Sequence, residues 1–302
     1  MPISGKQICW AILALMLQVV AISADAQNTF SAAYKANSSA IDVIPARFGL
    51  RPHLENLVIS PTRLAGGSAL TIISPERWES LGQRVAHIVE ELHGEYSAVF
   101  GKIPPFVATV RLMDREAFLI KTGAPAWTNA IYYRGEIMIP LSDSEKLDTL
   151  ELVRAVRHEY LHAVVHSLSS GRCAGWLDEG LAQWVEGDEN PALTMALSRW
   201  ISSHPPVALS ALQGGFTKLE SQMVPAAYAQ SLFSANQIVQ TYGFKPIRLY
   251  FDALKADKPA KEAFRSSFGV SEEAFETSLV VSLAEWQRRR MENVVALNGE
   301  LH

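Results

Sequence analysis

The ten residues RHEYLHAVVH, at positions 157–166, place two histidines four positions apart with a glutamate directly after the first. On an α-helix, His158 and His162 project from one face and can bind the same metal ion. Glu159 lies one position further round the helix, where its carboxylate can take a proton from a water molecule at the metal. The segment therefore predicts a zinc site with its own general base.

The residues around this motif predict an amphipathic helix that begins near residue 148. Its apolar stripe is formed by Val153, Val156, Tyr160 and Val164, and the two histidines lie roughly opposite this stripe. Such a helix buries one side in a core and leaves the histidines available to another part of the molecule.

The order of the other elements predicts the fold class. Strand-like runs occupy residues 68–74, 106–113 and 135–140. Between the first two, Ser74 followed by Pro75 predicts the start of a helix that ends near Phe100. The chain from about residue 228 to 290 has helical patterns. Strands first and helices later indicate an α+β fold, with a small mixed sheet and a mostly helical C-terminal lobe.

The first residues predict export. Lys6 precedes an apolar run over residues 8–22, and the small residues at 24–26 are typical of a signal-peptide cleavage site before Gln27. The run of about 15 residues is shorter than the roughly 20 of a membrane-spanning helix, so a retained anchor is the less favoured alternative. The predicted organisation is a signal peptide (1–26), an N-terminal arm or linker (27–65), a catalytic domain (66–290) and a C-terminal tail (291–302).

Composition excludes some classes of protein. The 27 basic and 31 acidic residues give a net charge of −4, which provides no basic field for nucleic acid. Cys9 falls in the predicted signal peptide, which leaves Cys173 alone in the mature chain, and an internal disulfide is therefore not possible. We expect a periplasmic or secreted protein whose stability comes from its core, with no membrane span after cleavage.

A catalytic zinc ion needs a third protein ligand and an open position. His166 lies one further turn along, but three residues on one straight helix cannot close a tetrahedron. A third histidine six positions after His162, as in another zinc-peptidase layout, is absent because Leu168 stands there. The segment GWLDEGLAQWVEG, at 175–187, offers Glu179 after enough chain for a loop and a returning helix. The alternative interpretation of Glu179 is an exposed glutamate in the first turn of a helix.

The two segments together resemble the gluzincin branch of zinc metallopeptidases, which has the thermolysin-like fold, and in particular its secreted peptidase-MA-like group. Those proteins follow the HExxH helix with a W-x-[ND]-E-G-x-A helix. The matching positions here are His158, Glu159, His162, Trp176, Asp178, Glu179, Gly180 and Ala182. The resemblance implies that His158, His162 and Glu179 bind one zinc ion (Zn2+) per chain, with Glu159 as the base.

This resemblance implies an exported zinc-dependent metalloendopeptidase that acts on peptide or protein substrates. Two alternatives stay open from the sequence: a zinc amidohydrolase acting on cell-wall peptides, and a non-catalytic zinc-binding protein on a peptidase-like fold. The intact Glu159 counts against the second alternative, because a scaffold has no need of a base.

Two further segments resemble the same group with lower specificity. Residues 225–243 are similar to the helix that follows the zinc ligands and begins with a tyrosine facing the site. This implies that Tyr228 donates a hydrogen bond to the oxyanion, and the alternative is an ordinary core tyrosine. Residues 128–140 resemble the edge strand that holds an extended peptide by strand addition.

One position departs from the thermolysin pattern. Four residues after the ligand glutamate, thermolysin has an aspartate that orients a zinc-binding histidine, whereas this chain has Gln183. Asp178 or another carboxylate is then expected to orient the histidines.

Overall fold

The computed structural model describes residues 56–125, 128–141, 149–187, 191–214, 216 and 219–299. The predicted signal peptide and most of the predicted arm lie outside these residues. In the described chain, the five strands of a mixed sheet lie before residue 142 with two α-helices between them, and the remaining α-helices follow. The predicted α+β class is confirmed.

The sheet is mixed and carries a short strand at one edge. Its strands are β1 (Leu57–Arg63), β2 (Ala69–Pro75), β3 (Val107–Asp114), β4 (Ile131–Tyr133) and β5 (Glu136–Leu141). Their spatial order is β1-β2-β3-β5-β4, with the three central strands parallel and both edge strands antiparallel to their neighbours. Side chains alternate between the two faces, and Leu70, Val110 and Ile137 lie on the buried face.

The helices lie on both faces of the sheet and form the C-terminal lobe. They are α1 (Glu79–Phe100), α2 (Arg115–Thr122), α3 (Thr149–Ser169), α4 (Gly175–Glu186), α5 (Pro191–Ile201), α6 (Val224–Tyr242), α7 (Phe244–Lys255), α8 (Ala260–Phe268) and α9 (Glu272–Gly299). Helices α1 and α3 cover the buried face of the sheet, α2 packs on the opposite face through Phe118 and Met138, and the later helices form the C-terminal lobe. Helix α1 packs on β2 and on α3, and α3 also contacts β4, β5, α4 and α7. None of the helices in the described part of the chain combines the length and apolar character needed to span a bilayer.

Helix α3 carries the HExxH motif and packs as its apolar stripe predicts. Val156, Tyr160 and Val164 are fully buried. The Tyr160 hydroxyl lies 2.8 Å from His93 Nδ1, and His93 Nε2 lies 2.9 Å from the carbonyl oxygen of Ala65. A carbonyl oxygen can only accept, so Nε2 is the donor and Nδ1 accepts from the tyrosine. Burial lowers the pKa of His93, which keeps this buried link between α3, α1 and the β1–β2 turn uncharged.

The predicted start of the first helix at Ser74 and Pro75 is wrong. Ser74 is buried within β2, where it pairs with Val58, and Pro75 is the last residue of that strand. A short 3-10 turn, Glu76–Trp78, precedes α1, and no side-chain cap is present. A Ser-Pro pair suits a strand end as well as a helix start, and here the pairing with β1 decides between them.

Two predicted boundaries are also corrected. Residues 57–63, placed in the N-terminal arm, form the edge strand β1 and pair along the whole of β2. At the other end, α9 continues to Gly299, through the boundary expected at residue 291. The Gly66-Gly67 pair at the first boundary lies in the turn between β1 and β2. Strand pairing is a long-range property that a local turn signal does not reveal.

Candidate metal centre

The structure brings the three predicted ligands together from two helices. His158 and His162 on α3 and Glu179 on α4 each offer one ligand atom, and these atoms lie within 4.8 Å of one another. Glu179 Oε2 is 3.7 Å from His158 Nε2 and 3.9 Å from His162 Nε2. Ligand atoms at about 2.0–2.1 Å from a tetrahedral zinc ion stand about 3.4 Å apart. A small contraction around one ion therefore suffices.

The chemistry of these atoms fits a cation. Glu179 Oε2 is buried and has no hydrogen-bond partner among the described residues. An unpartnered buried carboxylate oxygen is costly, and a metal ion removes that cost. Burial lowers the pKa of His162, but Asp178 and Glu179 outweigh burial and raise it to about 9. His158 is affected in the same way: Glu179 and Glu186 overcome its burial and hold its pKa well above the ordinary value. The two imidazoles thus lie in a field that favours positive charge.

A carboxylate lies against the outer nitrogen of each histidine. His158 Nδ1 is 2.7 Å from Glu186 Oε1, and Arg154 Nη2 lies 3.2 Å from the other oxygen of Glu186. His162 Nδ1 is 3.0 Å from Asp178 Oδ1, as an ion pair rather than a well-aligned hydrogen bond. Both contacts leave Nε2 for the metal and orient the ring. This geometry agrees with the role expected for Asp178, which is to orient a zinc-binding histidine.

Sequence reasoning missed Glu186, although a signal for it was present. It lies seven residues, or two helical turns, after Glu179, so both side chains project from the same side of α4. Gln183, the residue at the thermolysin aspartate position, does not contact a histidine nitrogen. Its amide nitrogen donates instead to the carbonyl oxygens of Glu179 and Tyr228.

The expected base, Glu159, is buried beside the ligands and is not one of them. Burial raises the pKa of its carboxyl, and the two histidines offset part of this rise. The backbone N–H of Tyr132, on β4, donates a hydrogen bond to the Glu159 carboxylate. Strand β4 is the sheet edge that the sequence predicted, and it contacts α3. The base is therefore held from the sheet side.

The hairpin between β4 and β5 explains why the Tyr132 N–H faces the site. Its two loop residues, Arg134 and Gly135, have φ values of 49° and 85°, as a type I′ turn requires. Tyr133 and Glu136 form the closing pair of this two-residue loop and exchange hydrogen bonds. The next residue, Tyr132, then belongs to a pair that is not hydrogen-bonded, so its N–H points away from β5 towards α3.

Tyr228 lies near the start of α6 and beside the same carboxylates. The charges of Glu179 and Glu159, together with burial, raise the pKa of Tyr228 well above its ordinary value. Its ring packs edge-on against Phe216 at 4.7 Å between centroids. His166, by contrast, is exposed and does not belong to the ligand group of the described residues.

The other residues of the W-x-[ND]-E-G-x-A helix shape the lobe around the ligands. Trp176 is buried, and its Nε1 donates to Glu272 at 3.0 Å, which ties α4 to α9. A Cβ atom on Gly180 would stand 2.2 Å from the carbonyl oxygen of Ser231, so only glycine lets α4 approach α6 this closely. Ala182 is fully buried in the core.

A mixed sheet, an HExxH helix and a returning helix that supplies a glutamate define a gluzincin-like zinc peptidase. The sequence profile of the Peptidase MA superfamily matches residues 124–285, more than half of the chain, and the chain belongs to that superfamily. The predicted resemblance to this group is confirmed. No curated protein matches the chain.

Several solved structures are similar to this chain at low sequence identity. An M1 zinc metallopeptidase from Deinococcus radiodurans is 14% identical over 77% of this chain and 51% of its own, with a TM-score of 0.40. Aminopeptidase A from Legionella pneumophila, in complex with aspartic acid, is 18% identical over 74% of this chain and 28% of its own, with a TM-score of 0.48. The chain thus spans about half the length of the Deinococcus enzyme.

The ligand set predicts which variants lose the metal. We expect the purified chain to hold about one zinc ion and Glu179→Ala to lose most of it, because removing one of three ligands lowers affinity by orders of magnitude. His166→Ala, a neighbouring histidine outside the ligand group, is the matched control and should retain the metal. Metal analysis after dialysis decides the point, and zinc lost from His166→Ala but kept by Glu179→Ala would contradict the assignment.

Proposed function

We propose that this chain is a zinc-dependent metalloendopeptidase, exported from the cell, that cleaves extended peptides held along strand β4. The observation that carries the proposal is the position of Glu159, a buried carboxylate next to the three-ligand group and fixed by a backbone N–H. A site that only stored zinc would gain nothing from a base in this place. The zinc ion, when bound to His158, His162 and Glu179, supplies a Lewis acid that activates water and polarises the peptide carbonyl.

Glu159 is the proton carrier in this proposal. It accepts a proton from the attacking water and delivers it to the nitrogen of the leaving amine, so that it ends the cycle as a carboxylate. The Tyr132 N–H is directed at this carboxylate and favours its charged form, which is the form that accepts the proton.

Tyr228 is the donor to the oxyanion in this proposal. The neighbouring carboxylates of Glu179 and Glu159 keep its phenol protonated at all physiological pH values. A protonated phenol can donate to the carbonyl oxygen as negative charge develops there, and the bond strengthens in the transition state.

The roles of the four carboxylates at the site support endopeptidase activity, that is, cleavage within a peptide chain. An enzyme that selects a free N-terminus needs a carboxylate for the substrate ammonium group. Of the carboxylates that the described residues bring to the site, Glu159 is the base and Glu179 the metal ligand, while Asp178 and Glu186 contact the histidines. None of these four carboxylates is therefore available to bind the ammonium group of a substrate. Strand β4 lies at the edge of the sheet, where main-chain groups other than the Tyr132 N–H can pair with an extended peptide.

Replacing the base tests the reaction. Glu159→Gln should keep the fold and the zinc but lower kcat by about 10²–10⁴-fold, because an amide cannot accept the proton. The substrate should be an internally quenched peptide with an acetylated N-terminus and an amidated C-terminus. Cleavage only of peptides with a free N-terminus would refute endopeptidase activity while leaving the role of Glu159 intact. A wild-type rate for Glu159→Gln would refute the mechanism itself.

Removing one phenol tests the second catalytic role. Tyr228→Phe should lower kcat by about 10²–10³-fold with zinc content and KM nearly unchanged, as for other single oxyanion donors. Tyr250→Phe is the matched control, because Tyr250 is a buried tyrosine packed among aromatic rings of the lobe. We expect that control to keep its rate. Equal rates for Tyr228→Phe and the wild type would show that Tyr228 is a core residue.

Export is proposed from residues 1–26, whose charged start, short apolar run and small residues are typical of a signal peptide. Mass spectrometry of the chain from an export-competent bacterial host should find an N-terminus at Gln27 in the periplasmic or secreted fraction. Recovery of the intact chain in the membrane fraction would instead indicate a retained anchor.

A further inference from the structure

Gln183 joins the helix of the metal ligand to the helix of the catalytic tyrosine. It lies on α4, one turn after Glu179, and is only 8% exposed. Its Nε2 lies 3.2 Å from the carbonyl oxygen of Glu179 and 3.0 Å from that of Tyr228. An amide nitrogen has two hydrogens, so both are used, and the reversed amide would set oxygen against two carbonyls. The orientation of the amide is therefore fixed.

The two helices are in direct contact at this point. One turn before Gln183, the backbone of α4 at Gly180 meets the carbonyl oxygen of Ser231, where an added Cβ would lie 2.2 Å away. Helices α4 and α6 run antiparallel here. Gly180 lies against Ser231, and Gln183, about one turn further along α4, lies against Tyr228. The second contact falls on the tyrosine that faces the site, and it consists of a directional hydrogen bond.

The beginning of α6 is packed against α4. Ala226, Ala227 and Ala229 are buried, and Pro225 stands in the first turn of the helix. Apolar packing of small alanine side chains has little directional preference. The hydrogen bond from Gln183 to the Tyr228 carbonyl adds a directional restraint at the residue that carries the phenol.

Stability alone does not explain an amide at this position. Gln183 Oε1 is buried and has no hydrogen-bond partner among the described residues. A buried acceptor without a partner costs free energy that an apolar side chain of the same size would not cost. A glutamine supplies two amide N–H donors at this position, and an apolar side chain supplies none.

We infer that Gln183 is a positioning residue, which sets the Tyr228 phenol relative to the metal ligand Glu179. This inference rests on the catalytic role proposed for Tyr228. The Gln183 side chain acts through the backbone of Tyr228 and has no contact with substrate. It takes the place of the thermolysin aspartate in sequence, but it orients the tyrosine helix where that aspartate orients a histidine.

A double-mutant cycle in the zinc-loaded enzyme separates positioning from general stability. Gln183→Met removes both donors at similar volume, and Gln183→Asn keeps an amide that is one methylene too short. We expect either variant to lower kcat about tenfold, with KM within about twofold and zinc content unchanged. Combined with Tyr228→Phe, neither should slow the enzyme further, because the phenol that Gln183 positions is then absent. An equal loss in both backgrounds, or loss of zinc, would overturn the inference.

A second readout does not depend on activity. In metal-free protein labelled with 3-fluorotyrosine, the ¹⁹F resonance that disappears in Tyr228→Phe identifies Tyr228 among the 8 tyrosines. Gln183→Met or Gln183→Asn should shift or broaden this resonance and leave that of Tyr250 unchanged. An unchanged Tyr228 resonance would overturn the inference whatever the activity. A changed resonance together with a fully active Tyr228→Phe would support positioning and refute the oxyanion role.

Gln230 supplies a matched control. It is a buried glutamine on α6 that also binds backbone through its amide, with Val207 N–H at 2.8 Å and Val207 carbonyl at 2.6 Å. Gln230→Met removes a buried amide of the same kind two residues from Tyr228. We expect it to destabilise the fold, with any change in kcat equal in the presence and absence of Tyr228→Phe. A Tyr228-dependent loss as large as that of Gln183→Met would show that the effect is not specific to Gln183.

Discussion

Two imidazole nitrogens and one carboxylate oxygen have to meet at a single buried point without forming hydrogen bonds to one another. Much of the surrounding structure serves this constraint. Glu186 and Asp178 contact the outer nitrogens of the histidines and turn the inner nitrogens towards Glu179. The negative charge gathered there is tolerable because a cation can balance it, whereas in its absence the histidines themselves become the positive partners. The metal is therefore part of the electrostatic balance of the core as well as the source of its chemistry.

The constraint extends outward through the two helices that carry the ligands. Helix α3 is fixed on its buried side by apolar packing and by the hydrogen bond between Tyr160 and His93, so the histidines cannot rotate away with the helix. Helix α4 is fixed by Trp176 on one side and by the close approach at Gly180 on another. Trp176 and Gly180 of the W-x-[ND]-E-G-x-A helix thus serve packing, whereas Glu179 between them serves as a metal ligand.

The ligand helix and the fold class could be predicted because their signals are local. The spacing of His158 and His162, and the apolar stripe opposite them, follow from the geometry of one helix. Strand β1 could not be recognised in the same way, since it becomes a strand only by pairing with β2. The same pairing turned the expected helix cap at Ser74 into a strand residue. The spacing from Glu179 places Glu186 on the same side of α4, but its contact with His158 also depends on how α4 lies against α3, which the spacing alone does not give.

The hydrogen bond between the Tyr132 N–H and Glu159 comes from the main chain, and every amino acid except proline supplies it. A general base that is oriented by a side chain is lost when that side chain drifts in evolution. Here the donor does not depend on the identity of residue 132, and proline is the one residue that removes it. The side chain at this position has a separate task, because the Tyr132 ring stacks on the ring of His162. One residue of the edge strand thus reaches the base through its main chain and a metal ligand through its side chain.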